Sequence, residues 1–519
     1  MSASLNRIVA VNTLSNYVLI AIRIVYAILI TRFLYRALGV DYYGFWSILW
    51  ALFTYVVIFN FGFGATIQKY TAEQLFETEP KKYNAIISLV VAFYIAASVV
   101  ICVGAAVGIV WIRSWTNIES ESILRDCRIA LAIFTLGISA IFPLSVFSDI
   151  LVGLKLIYLK NAVMVCMRLF EIAGVYTCIT LDAGFTTIVS FSVGTNILFA
   201  IFLVFVVKKK IATFRLVPSF DFGLLREVGQ FSFFVYINSL AMLITAKIDR
   251  FILSSVIGLP AVGLYQIGSR LPDMSQQLSS QFQDNVIPVA ANLAKNGKSS
   301  DLRKILLAGM RFSAFVSIGA TAVFFCLASE TIKALFGAEG GDIAFVCRLL
   351  LVSQMIHCCL RNVPYRYLQI ANRHKFIAAS SAIQAITTVA LGIVFCRAYG
   401  LSGICWAILL PNIAVSGGII FPAALRVLRL GFSEIVAIFL KPAIAAIPAV
   451  AICAVSKQVF GEDLSTIFAL CIVFSAAGMS YLLFGYLFVL TGAEKEFVKL
   501  KVINAYESFL HENHSSHKM

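Results

Sequence analysis

Residues 11–33 read VNTLSNYVLIAIRIVYAILITRF, an almost unbroken apolar stretch with Arg23 near its centre. A helix needs roughly 20 apolar residues to cross a bilayer, so the stretch predicts a membrane span. A charge at the centre of a span costs at least ~2.5–3.5 kcal/mol, and for that reason such a charge usually faces a protein-lined cavity. This one stretch therefore predicts a membrane protein with a cation in its interior.

Similar stretches continue along the chain as far as residue 490. Hydrophobic residues make up 60% of the chain and charged residues only 13%, which excludes an ordinary soluble protein. We predict an all-α polytopic membrane protein with about 14 transmembrane helices. The predicted spans are 11–33, 42–65, 84–112, 128–152, 160–181, 184–207, 228–255, 261–284, 304–328, 344–371, 376–397, 403–424, 435–457 and 464–490.

The formal net charge of +15 would suggest a nucleic-acid partner for a soluble protein. Here most lysines and arginines lie at the ends of spans, where they meet anionic lipid headgroups, so no nucleic-acid partner is expected. If the N-terminus is inside, the inner connections carry more than twice as many lysines and arginines as the outer connections. Arg250 is counted with the outer connections. This asymmetry predicts that both termini are cytoplasmic.

A short sequence repeat indicates how the spans are arranged. Gly39–Ile48 and Gly258–Ile267 both fit the pattern G-x4-G-[FL]-[WY]-x-I, and a looser copy at Gly400–Trp406 opens span twelve. Two glycines around a short turn let consecutive helices reverse tightly. Because the two full copies lie six spans apart, the halves should share one membrane orientation. The repeat therefore predicts two six-helix lobes related by a pseudo-twofold axis along the membrane normal, with a central cavity between them.

Domain boundaries follow from the spans and the repeat. The prediction is an N-terminal lobe at 1–207, a cytoplasmic linker at 208–227, a C-terminal lobe at 228–424, two further spans at 435–490 and a cytoplasmic tail at 491–519.

Arginines at membrane depth are the candidate substrate-binding residues. Arg168 and Arg270 each precede an acid by three residues, Glu171 and Asp273, so each pair can neutralise itself on one helix face. A structural ion pair is the competing interpretation. Arg23 and Arg361 have no acid within one helical turn, so their partner must come from another helix, water or the ligand. The candidate cavity cations are Arg23, Arg168, Arg270 and Arg361.

Other polar residues in the spans have candidate roles in ion coupling or sugar binding. Proton or sodium coupling is assigned to carboxylates, because a desolvated carboxyl group can take up a proton near neutral pH. These candidates are Glu171, Asp273 and Asp249. Amides could bind sugar hydroxyls or join helices by hydrogen bonds, and the candidates are Asn16, Asn238 and Gln266. Pro272 should bend span eight. No metal site and no cofactor is predicted.

Three segments resemble the oligosaccharide flippases of the multidrug/oligosaccharidyl-lipid/polysaccharide (MOP) exporter superfamily. They are residues 43–52 (YGFWSILWAL), 59–66 (FNFGFGAT) and 69–73 (KYTAE). Asp249-Arg250 followed by Val262–Tyr265 resembles the corresponding part of the second half. Asn60 departs from the family pattern, in which an acid often precedes the glycine, so a coupling role for that acid does not transfer.

The resemblance implies a multi-pass protein of the bacterial cytoplasmic membrane that moves polyprenyl-diphosphate-linked oligosaccharide outward by alternating access. The cargo would be an O-antigen, capsule or exopolysaccharide repeat unit, and a peptidoglycan precursor suits the same chemistry. Partners would be the lipid-linked glycan, membrane lipids and polysaccharide polymerase machinery, and a monomer would suffice.

Two other functions stay open from the sequence. A cation-coupled multidrug exporter of the same fold would favour an acidic cavity, against the excess of arginine. A membrane glycosyltransferase or ligase would need acids at a loop face or a large outer loop, and the predicted outer connections are short. The chain has no G-x4-G-K-[ST] phosphate loop, so it is not expected to be an ATPase or other enzyme.

Overall fold

The computed structural model describes residues 2–211, 214–215, 233–297, 299–428 and 431–490, together with residues 492 and 495. Within these ranges all regular structure is helical. The first helices are α1 Ser2–Val56, α2 Phe63–Ala72, α3 Leu75–Thr78, α4 Pro80–Val110, α5 Ile112–Thr116, α6 Glu121–Gly153, α7 Ile157–Thr180 and α8 Phe185–Lys210. They are followed by α9 Phe233–Val256, α10 Leu259–Gly268, α11 Arg270–Lys295, α12 Ser299–Cys326, α13 Ala328–Phe336, α14 Gly341–His357, α15 Val363–Ile370, α16 His374–Asn412, α17 Phe421–Leu428, α18 Phe432–Phe460 and α19 Ile467–Phe488.

Short segments of other helix types connect some of these elements. Val57–Asn60 and Gly461–Ser465 are 3₁₀ turns, whereas Cys358–Asn362 and Ile413–Ile420 are π-helical. Single π-helical turns inside α-helices are rare and frequently mark functional sites. Both π segments lie in the second half of the chain, and they contact each other.

Ten helices of the described chain are long and apolar enough to cross a membrane, judged by length and composition. Two of them, Leu14–Val56 and His374–Leu428, are 43 and 55 residues long, and each covers two predicted spans. Predicted spans seven and eight correspond to α9 and to α10 with α11, which are helical but not among the ten. Every 18-residue window of α9 includes Lys247, Asp249 and Arg250, so the charges themselves remove it from a hydropathy selection. The protein is an all-α polytopic membrane protein, as predicted.

The repeat has a common backbone conformation at its first glycine. Gly39 breaks α1 at φ 84°, ψ 179°, and Gly258, which precedes α10, adopts φ 119°, ψ −179°. Only glycine adopts this region readily, since a side chain would clash with the backbone. Gly400 breaks α16 at φ 59°, ψ −134°, in the looser third copy. The glycines of the pattern are thus the points at which one span ends and the next begins.

The two full copies of the repeat also pack directly against each other. A methyl group on Gly44 would overlap the carbonyl oxygen of Leu259, and one on Gly263 would lie 2.5 Å from the carbonyl oxygen of Val40. In each copy the fifth residue after the first glycine therefore meets the first residue after that glycine in the other copy. Such reciprocal contacts are what a twofold relation between two surfaces produces. They fit the predicted pseudo-twofold relation between the halves.

The last two spans form a separate packing unit on the second half. Helices α18 and α19 pack against each other and against α12, around a hydrophobic cluster of their own. Phe315 of α12 stacks on Tyr481 of α19 with ring centroids 4.4 Å apart. The predicted linker at 208–227 and tail at 491–519 lie almost entirely outside the described residues, although α8 continues to Lys210. The domain boundaries therefore stay a prediction.

Predicted span eight is interrupted close to Pro272. The helix α10 ends at Gly268 and α11 starts at Arg270. A proline displaces the carbonyl group four residues before it, here that of Gly268, and offers no N–H to it. The helix is thus interrupted one turn before the proline, and the predicted bend stays a prediction.

Candidate cationic cavity between the two halves

Two adjoining cavities lie among α1, α7, α9, α10, α11, α14 and α16. The junction cavity, of about 300 Å³, is lined from the first half by α1 and Arg168 and from the second half by α9, α10 and α11. The C-terminal cavity, of about 230 Å³, is lined by second-half residues between Met242 and Asn412. Three side chains line both of them, namely Lys247, Arg250 and Asp273. The two cavities are therefore neighbours that share these three polar side chains as a common boundary.

Arg168 forms the ion pair that its spacing predicted. Its Nη1 donates to Oε2 of Glu171 at 2.6 Å, and its guanidinium lies 4.6 Å from the ring centre of Tyr26. Glu171 is fully buried and also accepts hydrogen bonds from the hydroxyls of Tyr26, at 2.9 Å, and Ser192. The carboxylate therefore has three donors, while Arg168 lines the junction cavity. Glu171 itself does not line either cavity.

Arg270 does not form the predicted pair with Asp273. Its Nε and Nη2 donate instead to the hydroxyl oxygen of Tyr43, at 3.3 and 3.0 Å. Tyr43 belongs to the first copy of the repeat, and its hydroxyl also lies 2.9 Å from Oγ1 of Thr31. The spacing of Arg270 and Asp273 allows an ion pair within one helix, but the guanidinium of Arg270 is hydrogen-bonded to the hydroxyl of Tyr43 on a neighbouring helix instead. Arg270 thus joins the two halves, and Asp273 faces both cavities beside Lys247.

Arg250 is the main residue that sequence reasoning missed. It was counted with the outer connections, yet it lies inside α9 with only 4% of its surface exposed. Its Nε donates to Gln266 Oε1 at 2.7 Å and its Nη1 to Asp249 Oδ1 at 3.2 Å. The hydroxyl of Tyr265 donates to the other oxygen of Asp249. Gln266 and Asp249, predicted for sugar binding and ion coupling, both belong to this buried network.

Arg361 lies in the first π-helical segment and is 4% exposed. Its Nη1 donates to Gln384 Oε1 and its Nη2 to Ser381 Oγ, the latter at 2.9 Å, both on α16. Its guanidinium lies 5.8 Å from the ring centre of Tyr365. None of the ion pairs formed by described residues includes Arg361. The sequence predicted that Arg361 has a partner on another helix, in water or on the ligand. In the structure its partners are two neutral side chains of α16, Gln384 and Ser381.

Two further predicted residues, Arg23 and Asn16, do not line either cavity, and a third lies outside the described side chains. Arg23 is exposed and lies on α1, one helical turn before Tyr26, which lines the junction cavity. Its Nη2 is 4.0 Å from the sulfur of Met164 on α7. Asn16 accepts a hydrogen bond from Asn161 Nδ2 at 2.6 Å, which joins α1 to α7. The contact of Asn16 is thus a hydrogen bond between two helices, which is the alternative that the sequence left open to sugar binding. Asn238 lies in α9, but its side chain is outside the part of the chain that the structure describes.

The charge of the two cavities is predominantly positive. Among the lining side chains that the structure describes, the cations are Arg168, Lys247, Arg250, Arg270 and Arg361, and the carboxylates are Asp249 and Asp273. His357 also lines the C-terminal cavity, one turn before Arg361. Arginine binds phosphate and carboxylate oxygens two at a time through its planar fork. The arrangement is suited to an anionic ligand.

Solved structures place this architecture in the fold of MOP transporters. The lipid II flippase MurJ in an inward closed conformation aligns with a TM-score of 0.69, covering 92% of this chain and 98% of MurJ at 14% identity. An inward-facing multidrug resistance MATE transporter of the MOP superfamily gives 0.67, with 79% and 94% covered at 13% identity. The MATE multidrug transporter DinF-BH gives 0.60, with 84% and 96% covered at 14% identity. At these identities the likeness concerns the fold alone.

The sequence itself assigns the family. The chain belongs to the family of polysaccharide biosynthesis proteins, whose profile matches residues 33–344. That range includes both full copies of the repeat and every lining residue of the junction cavity except Tyr26, Ala27 and Ile30. No curated protein matches the chain in sequence.

Proposed function

We propose that the protein is a flippase that moves a polyprenyl-diphosphate-linked oligosaccharide across the bacterial cytoplasmic membrane by alternating access. The observation that carries the proposal is the junction cavity, in which Arg168 of the first half and Arg270 of the second half face one polar space. Membership in a polysaccharide biosynthesis family supplies the kind of cargo. The MOP fold supplies the kind of movement, with the two halves rocking about a site between them.

The charge of the junction cavity matches a diphosphate better than a cationic drug. Arg168, Lys247, Arg250 and Arg270 line it, whereas Asp273 is the one carboxylate among its described lining residues. Arg168 and Arg250 are already paired with the buried carboxylates of Glu171 and Asp249. Cations at this depth are costly unless an anion or a dipole compensates them, so Lys247 and Arg270 are the ones that a bound diphosphate would compensate. A multidrug exporter of the same fold would have to bind cationic substrates against this excess of positive charge.

Four aromatic rings also line the junction cavity. Tyr26, Trp46, Trp50 and Phe53 line it on the side of the first half. Tyrosine and tryptophan combine an apolar face with a polar edge, so they suit the boundary between a lipid-linked phosphate and its first sugar. We assign them to the non-ionic part of the ligand.

Localisation and partners follow from the same proposal. The excess of Lys and Arg in alternate connections supports cytoplasmic termini. The cargo would come from glycosyltransferases on the inner face and pass to polysaccharide polymerase machinery on the outer face. A monomer contains both halves and is sufficient.

Complementation of a bacterial strain blocked in export of a lipid-linked repeat unit tests the proposal. Wild type should restore surface glycan, and Arg270→Gln at matched membrane abundance should lose most of that activity, because the cavity loses a cation that also joins the halves. Arg348→Gln is the matched control, since Arg348 lies on α14 outside both cavities and contacts the carbonyl oxygen of Phe325 at 3.3 Å. The control should behave as wild type.

Two results would contradict the proposal. Failure of wild type in strains that cover several repeat units would exclude flipping of this cargo class. Full activity of Arg270→Gln together with loss of activity in Arg348→Gln would remove the cationic cavity from the mechanism.

A further inference from the structure

The C-terminal cavity differs in chemistry from the junction cavity. Its one cation that is not part of the shared boundary is Arg361, among the lining residues that the structure describes. Around it lie amide and hydroxyl side chains, namely Gln276, Ser353, Gln354, Ser381, Gln384 and Asn412. Such groups hydrogen-bond sugar hydroxyls, and a cation among them would bind one negative group on the same ligand.

Arg361 is a buried cation that neutral groups hold in place. Burying a charge without an opposite charge is expensive, because hydrogen bonds to neutral acceptors replace only part of its hydration. The contacts to Gln384 and Ser381 use two of its five N–H donors. They also fix the orientation of the guanidinium plane before any ligand arrives, which lowers the entropy cost of binding. An anion entering the cavity would therefore meet an oriented, poorly compensated charge.

The two carboxylates of this cavity have other cationic neighbours. Asp249 is bound by Arg250 and by the hydroxyl of Tyr265. Asp273 lies at the shared boundary with Lys247. Neither therefore serves as the counter-ion of Arg361 in the described structure.

We propose that the C-terminal cavity binds a sugar that carries a carboxylate, with that carboxylate at Arg361, while the diphosphate of the same lipid-linked glycan occupies the junction cavity. The assignment rests on the proposed flippase function and narrows its cargo to glycans with an acidic sugar near the lipid. The distribution of charge decides which group goes where. Lys247 and Arg270 of the junction cavity suit a diphosphate, since Arg168 and Arg250 are already ion-paired, whereas the single Arg361 suits a single carboxylate. The cavities share Lys247, Arg250 and Asp273 as their boundary, so the proposal places neighbouring groups of one ligand on the two sides of these residues.

The cavity volume agrees with a ligand of this size. About 230 Å³ is several times the volume of a water molecule, which occupies ~30 Å³ in the liquid. The space is therefore sufficient for a sugar ring but not for a whole repeat unit, so the remaining sugars would extend beyond it.

A comparison of two export-deficient strains tests this assignment, one with a uronic acid in its repeat unit and one with a neutral repeat unit. Wild type should restore surface glycan far better in the first strain. Gln384→Glu should reduce that preference on the order of tenfold, because the new carboxylate would neutralise Arg361 from within. The variant forms an internal ion pair, so it avoids the folding risk of Arg361→Gln. Gln384→Met, which removes the acceptor that orients Arg361 without adding a charge, should weaken the preference less than Gln384→Glu does.

A binding measurement on the purified full-length protein separates the two cavities. Sodium glucuronate should raise the thermal unfolding midpoint of wild type but not of Gln384→Glu, and glucose should raise neither. Inorganic pyrophosphate should stabilise both proteins alike.

Each contrary outcome has a distinct meaning. Equal rescue of both strains by wild type, or glucuronate stabilisation that survives in Gln384→Glu, would overturn the carboxylate site and leave the flippase proposal standing. Rescue of neither strain would overturn the flippase proposal, and the carboxylate site with it.

Discussion

Glu171 shows how a charged residue can be accommodated inside the spans of this protein. It is fully buried and accepts hydrogen bonds from Arg168, Tyr26 and Ser192. Its three donors come from α7, α1 and α8, so the carboxylate joins three helices of the first half. In this ion pair Glu171 therefore has a structural role, whereas Arg168 lines the junction cavity.

Replacement of Glu171 by alanine should destabilise the protein strongly. Removing one partner of a buried ion pair typically costs about 3–5 kcal/mol, because the other charge stays buried without compensation. The exposed pair of Arg113 and Glu121 provides the control, since a surface pair is worth about 0–1 kcal/mol and Glu121→Ala should change little. Unfolding in detergent measures both free energies of unfolding. Equal effects of the two substitutions would contradict the structural role of Glu171.

The candidate site could be predicted at residue level where the signal was a charge within an apolar run. Arg168, Arg270 and Arg361 stand out in this way and line the cavities, whereas Arg23 gave the same signal and lines neither cavity. Arg250 was missed because it lies close to the predicted end of span seven at residue 255 and was therefore counted with the outer connection. The predicted pairing of Arg270 with Asp273 was wrong, because spacing shows only which side chains of one helix can meet. It does not show that Tyr43 of another helix lies within hydrogen-bond distance of Arg270.

At the scale of elements, the repeat determines both a turn and a contact. Gly39 and Gly258 adopt similar backbone conformations with positive φ, and Gly44 and Gly263 let the copies approach to backbone distance. The predicted outer connections between spans lie at this end of the bundle. Under the alternating-access cycle proposed above, with this end outward as the charge asymmetry predicts, we expect this contact to part when the cavity opens to the outside.

Alanine at either contact glycine should weaken the contact between the halves. Gly44→Ala and Gly263→Ala would each place a methyl group against a backbone carbonyl, and overpacking of this kind typically costs about 1–3 kcal/mol. Both variants should lower the thermal unfolding midpoint and reduce glycan export. Gly104→Ala is the control, since no atom lies within 4 Å of a methyl group there. An unchanged midpoint and full export in both contact variants would show that the copies do not pack as described.

Element positions were predictable where hydropathy and glycine patterns were strong. The breaks at Gly39, Gly258 and Gly400 follow from the repeat, and the interruption near Pro272 follows from the missing N–H of proline. The π-helical segments had no signal in the sequence, because these spans are apolar on most sides and a shift of the helix face by one residue leaves no visible change in their composition. Their position beside the C-terminal cavity emerges only from the packing of α14 against α16.

At the scale of the whole molecule, the chain combines two related halves with two cavities that differ in positive charge. Composition alone predicted a polytopic membrane protein, and the even spacing of the repeat predicted halves of like orientation. The distribution of positive charge between a junction cavity and a C-terminal cavity depends on contacts between distant spans, such as Arg270 with Tyr43. No local pattern carries that information, so the two cavities could not be separated from the sequence.

Flipping of a labelled lipid-linked glycan by the purified protein in proteoliposomes tests the central claim most directly. The glycan would be a fluorescent polyprenyl-diphosphate saccharide, and a membrane-impermeant quencher would report the fraction on the outer leaflet over time. We expect wild type to bring the inner-leaflet lipid to the quencher, and Arg270→Gln to leave it protected as in protein-free vesicles. Protection of the inner-leaflet lipid in wild-type vesicles, despite correctly folded protein, would contradict the account.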